Sequence, residues 1–286
     1  MASCPTGGGL AETMERTMLF VDLTTAARLE AAQAWRGVYY ALAHGSLEPA
    51  SQSTVLAVAG GQVIYSGPGL PVNRAIGLGM GAPATAEDLD SIEEFFRSRG
   101  ERPQIDLCPL ADESLLALLR EHNYGIARFA NVLVCPLPQS IPPTVSLGAA
   151  EVRRAKPDEA DLWLRVVAQG FSGSETPPEA DLRILAPNFY SENALCFFAW
   201  LDGEPAGGGA MYTHDRVAEF GGASTRVAYR RRGVQTALLY HRLAAAYAAG
   251  CDLALVVTEP GSASQKNVER AGFRLAYTKT IMDLAT

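Results

Sequence analysis

A proline-rich stretch without charged residues divides this sequence into two halves of similar length. Residues 138–150 read PQSIPPTVSLGAA, with three prolines, which is the composition of an extended connector. Strand-like and helix-like patterns alternate in a similar order on both sides of it, as in α/β proteins. We therefore expect a disordered leader over residues 1–16, one domain over 17–137, a linker over 138–150 and a second domain over 151–286.

Hydrophobic periodicity predicts three helices and five strands in the first half. Gly60 and Gly61 separate two short apolar runs and suit a hairpin turn, and Gly100 marks the end of a helix. The expected helices cover 24–43, 86–99 and 112–121, and the expected strands cover 55–59, 62–65, 74–78, 104–107 and 127–135.

The second half repeats strands and helices at similar intervals. Each half is therefore expected to form a mixed, mostly antiparallel sheet flanked by helices, in the α/β class. The expected helices cover 158–169, 178–185, 233–249 and 262–271, and the expected strands cover 151–154, 195–201, 206–212, 217–225, 253–258 and 274–282.

Composition and charge exclude several classes of function. The formal net charge is -7 and the pI is near 5.2, so the basic face of a nucleic-acid-binding protein is missing. The five cysteines lack CxxC spacing and histidine companions, which argues against a metal site and a disulfide framework. No signal peptide and no long apolar run is evident, so we expect a cytoplasmic protein that does not bind a membrane.

One segment of the second half carries the features of an anion-binding site. A predicted strand from Glu219 is followed by a turn with three arginines and Gly233, and then by a predicted helix. The first N–H groups of a helix are unpaired and lie at the positive end of its dipole, so they favour a pyrophosphate. A solvated run of charges beside an ordinary helix start is the alternative interpretation. The pattern of a nucleoside triphosphate loop, GxxxxGK[ST], is absent.

This segment resembles the acyl-CoA-binding signature of the GNAT superfamily of N-acetyltransferases. In that signature an Arg or Gln is followed after two residues by Gly, then after one residue by Gly or Ala, ahead of a Leu-rich helix. Arg230, Gly233 and the Thr-Ala-Leu-Leu of residues 236–239 match, whereas Gln235 replaces the small residue. The Gly-Phe of AGFR at 271–274 matches further on. The resemblance spans residues 151–284, and it implies a tandem GNAT arrangement.

The resemblance implies acetyl-CoA, or another acyl-CoA, as co-substrate and requires no metal. The strand before the loop would pair with the pantetheine arm, and the loop would hold the pyrophosphate. Ser264 and Asn267, on the helix before the final strand, are expected in the same site. The expected residues of the strand and loop are Ala223, Ser224, Thr225, Arg230, Arg231, Arg232, Gly233, Val234, Gln235 and Thr236.

The implied reaction is direct attack of a primary amine on the thioester, which needs a base for the amine. Glu219 stands where many relatives carry a glutamate in this role, although it could instead be paired with an arginine. The usual acid, a tyrosine five residues before the Phe of the Gly-Phe pair, is replaced by Val268. Tyr277 is the catalytic candidate in its place, with Ser264, Asn267 or solvent as alternatives.

The first half lacks the chemistry of the loop. Its equivalent region, GLGMGAPATAEDLD, has no arginine, and acidic residues at the predicted helix start would repel a pyrophosphate. We therefore interpret it as a degenerate GNAT-like domain that supports the second one. The expected activity is acyl transfer to a small-molecule amine, and the one assembly considered is a homodimer. A non-catalytic acyl-CoA sensor and an acetyltransferase of protein lysines or N-termini are the alternatives.

Overall fold

A computed structural model describes residues 19–137 and 150–284 of the chain. The predicted leader and nearly all of the predicted linker lie outside these residues. The described part contains seven α-helices and eleven β-strands. The helices are α1 (Leu23–Leu47), α2 (Ala86–Arg97), α3 (Glu113–Glu121), α4 (Ala160–Ser172), α5 (Glu179–Tyr190), α6 (Val234–Ala248) and α7 (Ala263–Arg270). The strands are β1 (Thr54–Val58), β2 (Gly61–Tyr65), β3 (Arg74–Ile76), β4 (Gln104–Leu107), β5 (Tyr124–Pro136), β6 (Glu151–Arg154), β7 (Ala194–Leu201), β8 (Glu204–His214), β9 (Val217–Thr225), β10 (Leu253–Thr258) and β11 (Arg274–Leu284).

All eleven strands belong to one sheet, in the order β1-β2-β3-β4-β11-β5-β10-β9-β8-β7-β6. Two neighbouring pairs are parallel, β3 with β4 and β9 with β10, and the others are antiparallel. The expected α/β class with mixed, mostly antiparallel pairing is confirmed. In each half a parallel pair is joined by a loop and a helix, α2 in the first half and α6 in the second.

The two halves exchange strands at the centre of the sheet. Strand β11 of the second half lies between β4 and β5, and strand β5 of the first half lies between β11 and β10. The register of β5 against β11 runs from Leu284 opposite Tyr124 to Arg274 opposite Val134. The sequence did not predict this exchange. Its consequence is that neither half can satisfy the backbone hydrogen bonds of its own central strands.

Helix α1 packs against strands of both halves, β2 and β3 on one side and β8 and β9 on the other. Asp22 caps its N-terminus by accepting a hydrogen bond from the backbone N–H of Thr25 at 2.8 Å. Much of its buried face is apolar, including Ala26 and Leu29, yet Glu30 is fully buried as well. This helix therefore brings polar groups to the junction between the halves.

Several boundaries differ from the sequence-based predictions. Helix α1 continues through Gly45 to Leu47, because the first residue that ends a helix is Pro49. Helix α5 was expected to end at 185 but runs to Tyr190 with Pro187 inside it. Strand β5 is longer than predicted at both ends, since it pairs with a strand on each side. Among the described residues no helix is long and apolar enough to cross a membrane.

Candidate active site

Strands β9 and β10 separate at Glu219. Their parallel pairing covers Val217 to Glu219 on β9 and ends with Glu219 opposite Leu255, although both strands continue. Beyond that point β9 is irregular, with a register shift against β8 and a left-handed Gly222 at φ +56°. The edge of residues 220–225 that faces β10 therefore has no strand partner in the described chain. Such an edge can hydrogen-bond an extended ligand as another strand would.

Side chains of the predicted pantetheine-binding residues are directed into the protein. The Ser224 hydroxyl donates a 2.7 Å hydrogen bond to the carbonyl of Val167 in α4. A Cβ at Gly170 would lie 2.3 Å from the Ser224 Oγ, so α4 can approach β9 this closely because residue 170 is a glycine. Ala223 is half-buried, and the Thr225 hydroxyl is buried without a hydrogen-bond partner among the described residues. One backbone edge of this segment pairs with β8, and the opposite edge has no strand partner in the described chain.

The loop before α6 presents an open helix N-terminus. Gly233 occupies the N-cap at φ +82°, and no side chain caps the helix. Within the described residues, the N–H groups of Val234, Gln235 and Thr236 have no backbone acceptor. Val234 is buried in the core, Gln235 is half-buried and Thr236 is exposed. The free N–H groups and the helix dipole fit a pyrophosphate.

The three arginines of the loop have different surroundings. Arg230 donates hydrogen bonds to the carbonyls of Gly170 at 2.9 Å and Thr225 at 3.3 Å, which tie the loop to α4 and β9. Arg232 forms a 2.7 Å ion pair with Asp202. Arg231 is exposed at φ +63° and makes no ion pair with the part of the chain that the structure describes. A bound anion would find an uncommitted cation there.

Glu219 is buried at the point where the strands separate, with 3% of its surface exposed. Its Oε1 accepts a 2.6 Å hydrogen bond from Arg36 of α1, and its Oε2 has no partner among the described residues. The Arg36 guanidinium also lies 5.1 Å from the centre of the Tyr212 ring. Burial alone would lower the pKa of Arg36, but the neighbouring Glu219 carboxylate raises this pKa above its ordinary value. Arg36 therefore stays charged. Both the ion pair and a free carboxylate oxygen are present.

The glycines ahead of Ser224 serve this ion pair. A Cβ at Gly221 would lie 2.9 Å from a terminal nitrogen of Arg36, so the guanidinium passes over the bare backbone of β9. Gly222 has the positive φ that accompanies the local irregularity. Both the close approach and the bend suggested by a glycine pair in a strand are thus observed.

A cleft of about 310 Å³ lies next to Glu219, between the two halves. Its size is near the lower end of small-molecule pockets, and residues of both halves line it. The lining includes Gln33, Arg36, Gly37 and Tyr40 from α1, Val72, Arg74, Ile76, Asp106 and Ala130 from the rest of the first half, and Phe171, Ile184, Leu185, Asn188, Glu219, Gly222, Val257 and Lys279 from the second half.

Tyr277 does not line this cleft. Its hydroxyl donates a 2.7 Å hydrogen bond to Glu30 of α1 and is buried. Burial and then the neighbouring Glu30 carboxylate raise the pKa of Tyr277 far above its usual range. The catalytic role of Tyr277 remains a prediction, and the structure assigns its hydroxyl to a buried network behind the cleft.

Lys279 is the centre of that network and forms part of the cleft wall. It is 1% exposed and lies 2.8 Å from Asp106, 3.5 Å from Glu30 and 2.7 Å from the Gln33 amide oxygen. Burial alone would lower its pKa, but the two carboxylates raise it above the ordinary value, so the ammonium stays charged. Buried charges of this kind need such partners, because water no longer stabilises them.

The resemblance places Ser264 and Asn267 of helix α7 in the acyl-CoA site, and this stays a prediction. Ser264 and Asn267 are exposed, and their side chains make no hydrogen bonds within the described residues. Val268, at the position of the family's tyrosine, is buried in the core with Phe220 and Phe273. The structure therefore supplies no hydroxyl at this position.

Arg36 and the polar face of α1 were not predicted from the sequence. Glu30, Gln33, Arg36 and Tyr40 recur every three or four residues and share one side of the helix. The signal was present, because polar residues at helical spacing interrupt a face that should bury apolar groups. It was overlooked because only the apolar positions of this segment were used.

Comparison with known proteins supports the same assignment. Residues 162–273 match the model of the Acetyltransferase (GNAT) family. No curated protein shows significant sequence similarity to the chain. Residues 162–273 thus belong to the GNAT family, and this membership supports acyl transfer from acyl-CoA in general, with acetyl-CoA as the family's co-substrate.

Three similar solved structures show that the whole chain has a GNAT fold. A GCN5-related N-acetyltransferase from Kribbella flavida aligns with a TM-score of 0.60 and 17% identity, over 87% of this chain and 96% of its own. A GCN5-related N-acetyltransferase from Sphaerobacter thermophilus aligns with a TM-score of 0.54 and 17% identity, over 82% of this chain and 76% of its own. A tandem GNAT protein from the clavulanic acid biosynthesis pathway aligns with a TM-score of 0.55 and 13% identity, over 92% of this chain and 95% of its own. The tandem arrangement is therefore shown, while identities this low are informative about fold alone.

Proposed function

We propose that the chain is an N-acyltransferase that moves an acetyl or short acyl group from acyl-CoA to the primary amine of a small molecule. The observation that carries the proposal is the position of Glu219. Its free Oε2 lies where β9 and β10 separate, beside the cleft and next to the unpaired edge of β9. A base, a place for an extended ligand and a pocket for an acceptor therefore meet at one point.

The residues of the loop fit acyl-CoA. Its pantetheine arm would lie along the backbone of residues 223–225, and its pyrophosphate would meet the N–H groups of Val234 to Thr236 with Arg231 alongside. When bound, acyl-CoA supplies the activated thioester carbonyl. Gln235 is half-buried at this helix start, so the larger side chain in place of the family's Gly or Ala is accommodated.

Glu219 would accept the proton of the acceptor ammonium, which leaves a neutral amine to attack the carbonyl. Arg36 fixes one carboxylate oxygen and leaves the other for this proton transfer. The thiol formed from the departing thiolate has a pKa of roughly 8.5 to 9, so solvent is a sufficient proton donor. Val268, at the position of the family's tyrosine, is apolar and cannot donate this proton.

A small acceptor is supported by the volume of the cleft, about 310 Å³, and by its position between the two halves, both of which line it. A protein lysine or N-terminus would also need room at the surface for the chain that carries it. A non-catalytic acyl-CoA sensor is the second candidate, favoured by the apolar Val268. Release of free CoA in the presence of any amine distinguishes the enzyme from the sensor.

The site is tested by titrating acetyl-CoA into the protein calorimetrically. Gly233→Asp should abolish binding, because it places an anion at the open N-terminus of α6. Gly250→Asp is the matched control, since Gly250 has a similar φ of +78° at the other end of the same helix and open space around it.

Arg230→Ala should weaken binding at least about tenfold, since the loop loses its two anchors to α4 and β9. Arg97→Ala, on the exposed face of α2, should leave binding unchanged. Absence of acetyl-CoA binding by the folded wild-type protein would contradict the proposal.

A further inference from the structure

The charge of the cleft differs in sign from the charge of the chain. Three cations, Arg36, Arg74 and Lys279, line it, against two carboxylates, Asp106 and Glu219. The net charge of the whole protein is -7. An acceptor therefore meets a local excess of positive charge, and a second ammonium group on it would be repelled.

Glu30 lies behind this wall and does not change the conclusion. Its Oε2 is 3.5 Å from the Lys279 ammonium, and its other oxygen accepts the hydrogen bond of Tyr277. Glu30 does not line the cleft, and its carboxylate is paired with the Lys279 ammonium.

Arg74 is the cation of the cleft that has no carboxylate hydrogen bond. Arg36 is bonded to Glu219 at 2.6 Å, and Lys279 is 2.8 Å from Asp106 Oδ2. Arg74 forms a longer ion pair, with 3.6 Å between its guanidinium and Asp106 Oδ1, and this oxygen has no hydrogen-bond partner among the described residues. Arg74 also donates to the backbone carbonyl of Pro71, which leaves other N–H groups of its guanidinium for a ligand.

Arg74 and Glu219 lie on opposite sides of the cleft. Arg74 is on β3 and Glu219 is on β9, with four strands between them in the sheet. The acceptor's amine must lie at Glu219, so a group that contacts Arg74 belongs to the far end of the acceptor. The strands between them contribute Asp106, Lys279, Ala130 and Val257 to the cleft wall, so this wall is charged nearer Arg74 and apolar nearer Glu219.

We propose that the acceptor is an amine with a carboxylate at its far end, and that Arg74 of the first half binds this carboxylate. Arg74 is thus a specificity-determining residue that the degenerate half contributes to the site of the other half. The inference rests on the proposed acyltransferase function and identifies its substrate class. A guanidinium suits a carboxylate because its planar N–H groups can donate two parallel hydrogen bonds.

The test compares three acceptors of equal length that differ only at the far end. These are an ω-amino acid, the corresponding alkylamine and the corresponding diamine, each at several chain lengths, with CoA release as the readout. The expected order of kcat/KM at the best length is acid, then alkylamine, then diamine, with acid and alkylamine separated by about tenfold or more. Equal rates for acid and alkylamine, or faster diamines, would overturn the inference.

Variants of Arg74 separate substrate binding from a structural effect. Arg74→Ala should raise KM for the acid so that the preference for the acid over the alkylamine is lost. Arg74→Glu should reverse the preference in favour of the diamine, which loss of folding cannot do. Arg128→Ala is the matched control: Arg128 is exposed, also acts on the Asp106 carboxylate, and does not line the cleft.

Failure of the proposed function has a different signature. If acetyl-CoA binds but no amine of any series releases CoA, the chain is not a transferase for these amines. Calorimetric binding of the ω-amino acid to the acetyl-CoA complex then still tests Arg74. Binding that Arg74→Ala weakens would support the carboxylate site, and absence of binding would refute it.

Discussion

The two halves build the same strand, loop and helix unit, but the helix starts differ. In the second half, α6 begins at a left-handed Gly233 with no capping side chain. In the first half, Thr85 and Asp88 form a capping box, in which each side chain accepts a hydrogen bond from a backbone N–H of the α2 start. The N–H groups that one half leaves for a ligand are used by the other half for its own stability.

The strands before these helices differ in the same way. In the second half the parallel pairing ends at Glu219, a carboxylate beside the cleft. In the first half the corresponding parallel pair is Ala75 opposite Ile105, and both are fully buried and apolar. A repeated fold thus retains its packing while only one copy keeps polar groups suited to chemistry. The first half instead provides Arg36 and Arg74 to the site of the second.

The largest expected effect comes from separating the halves. Residues 150–286 expressed alone should not fold, because without β5 the facing edges of β10 and β11 lose their partner. Circular dichroism and size-exclusion chromatography would report an unfolded or aggregated fragment. Co-expression with the first half, with the chain cut within 138–149, should restore the complex. A stable, acetyl-CoA-binding fragment 150–286 would show that the halves are independent.

The next effect concerns the buried network that joins α1 to β4 and β11. Lys279→Met should lower the free energy of unfolding by ~3–5 kcal/mol, because it leaves Asp106 and Glu30 without their shared cation. Urea denaturation measures the change. Lys266→Met, at an exposed position of α7, should alter stability by no more than about 0.5 kcal/mol. A loss below about 1 kcal/mol for Lys279→Met would contradict the importance of this network.

Glu219→Gln tests whether the chemical difference between the halves is catalytic. We expect kcat to fall about 100-fold or more, since general-base catalysis is lost while the side chain keeps its shape. Acetyl-CoA affinity should be unchanged, because the residue lies beyond the pyrophosphate loop. Glu204→Gln, at the exposed start of β8, serves as the control. A change of less than threefold at Glu219 would leave the ion pair with Arg36 as its sole role.

The smallest effect tests the capping of α2. Thr85→Ala should cost about 1 kcal/mol of stability and leave acetyl-CoA affinity unchanged. Thermal unfolding and calorimetry would measure the two quantities. The double variant Thr85→Ala with Asp88→Ala should still bind one acetyl-CoA per chain, since no arginine lies in the loop before α2. Binding of a second acetyl-CoA would show that the capping box alone prevents the first half from binding this ligand.

Most of the elements and the open helix start after the arginine-rich loop were predictable from the sequence, because they depend on local patterns. The loop before α6 is an example: Gly233, the arginines and the apolar start of α6 adjoin in the chain. The end of α5 was not predictable, since Pro187 normally ends a helix and here tertiary packing continues it. The acceptor side of the site was missed as well. Arg36 and Glu219 are 183 residues apart, and no local pattern brings them together.

The sequence by itself determined the α/β class, the repeat and the arginine-rich loop before α6, because periodicity, turn residues and a helix start are encoded within a few residues of one another. Only the tertiary structure decided that β5 and β11 exchange places and that α1 carries its polar face to the junction. That exchange depends on strand pairing between distant segments, whose hydrogen bonds are the same for any sequence. Arg36, Arg74 and Lys279 are distant in the sequence, and they line one cleft because α1 packs against strands of both halves.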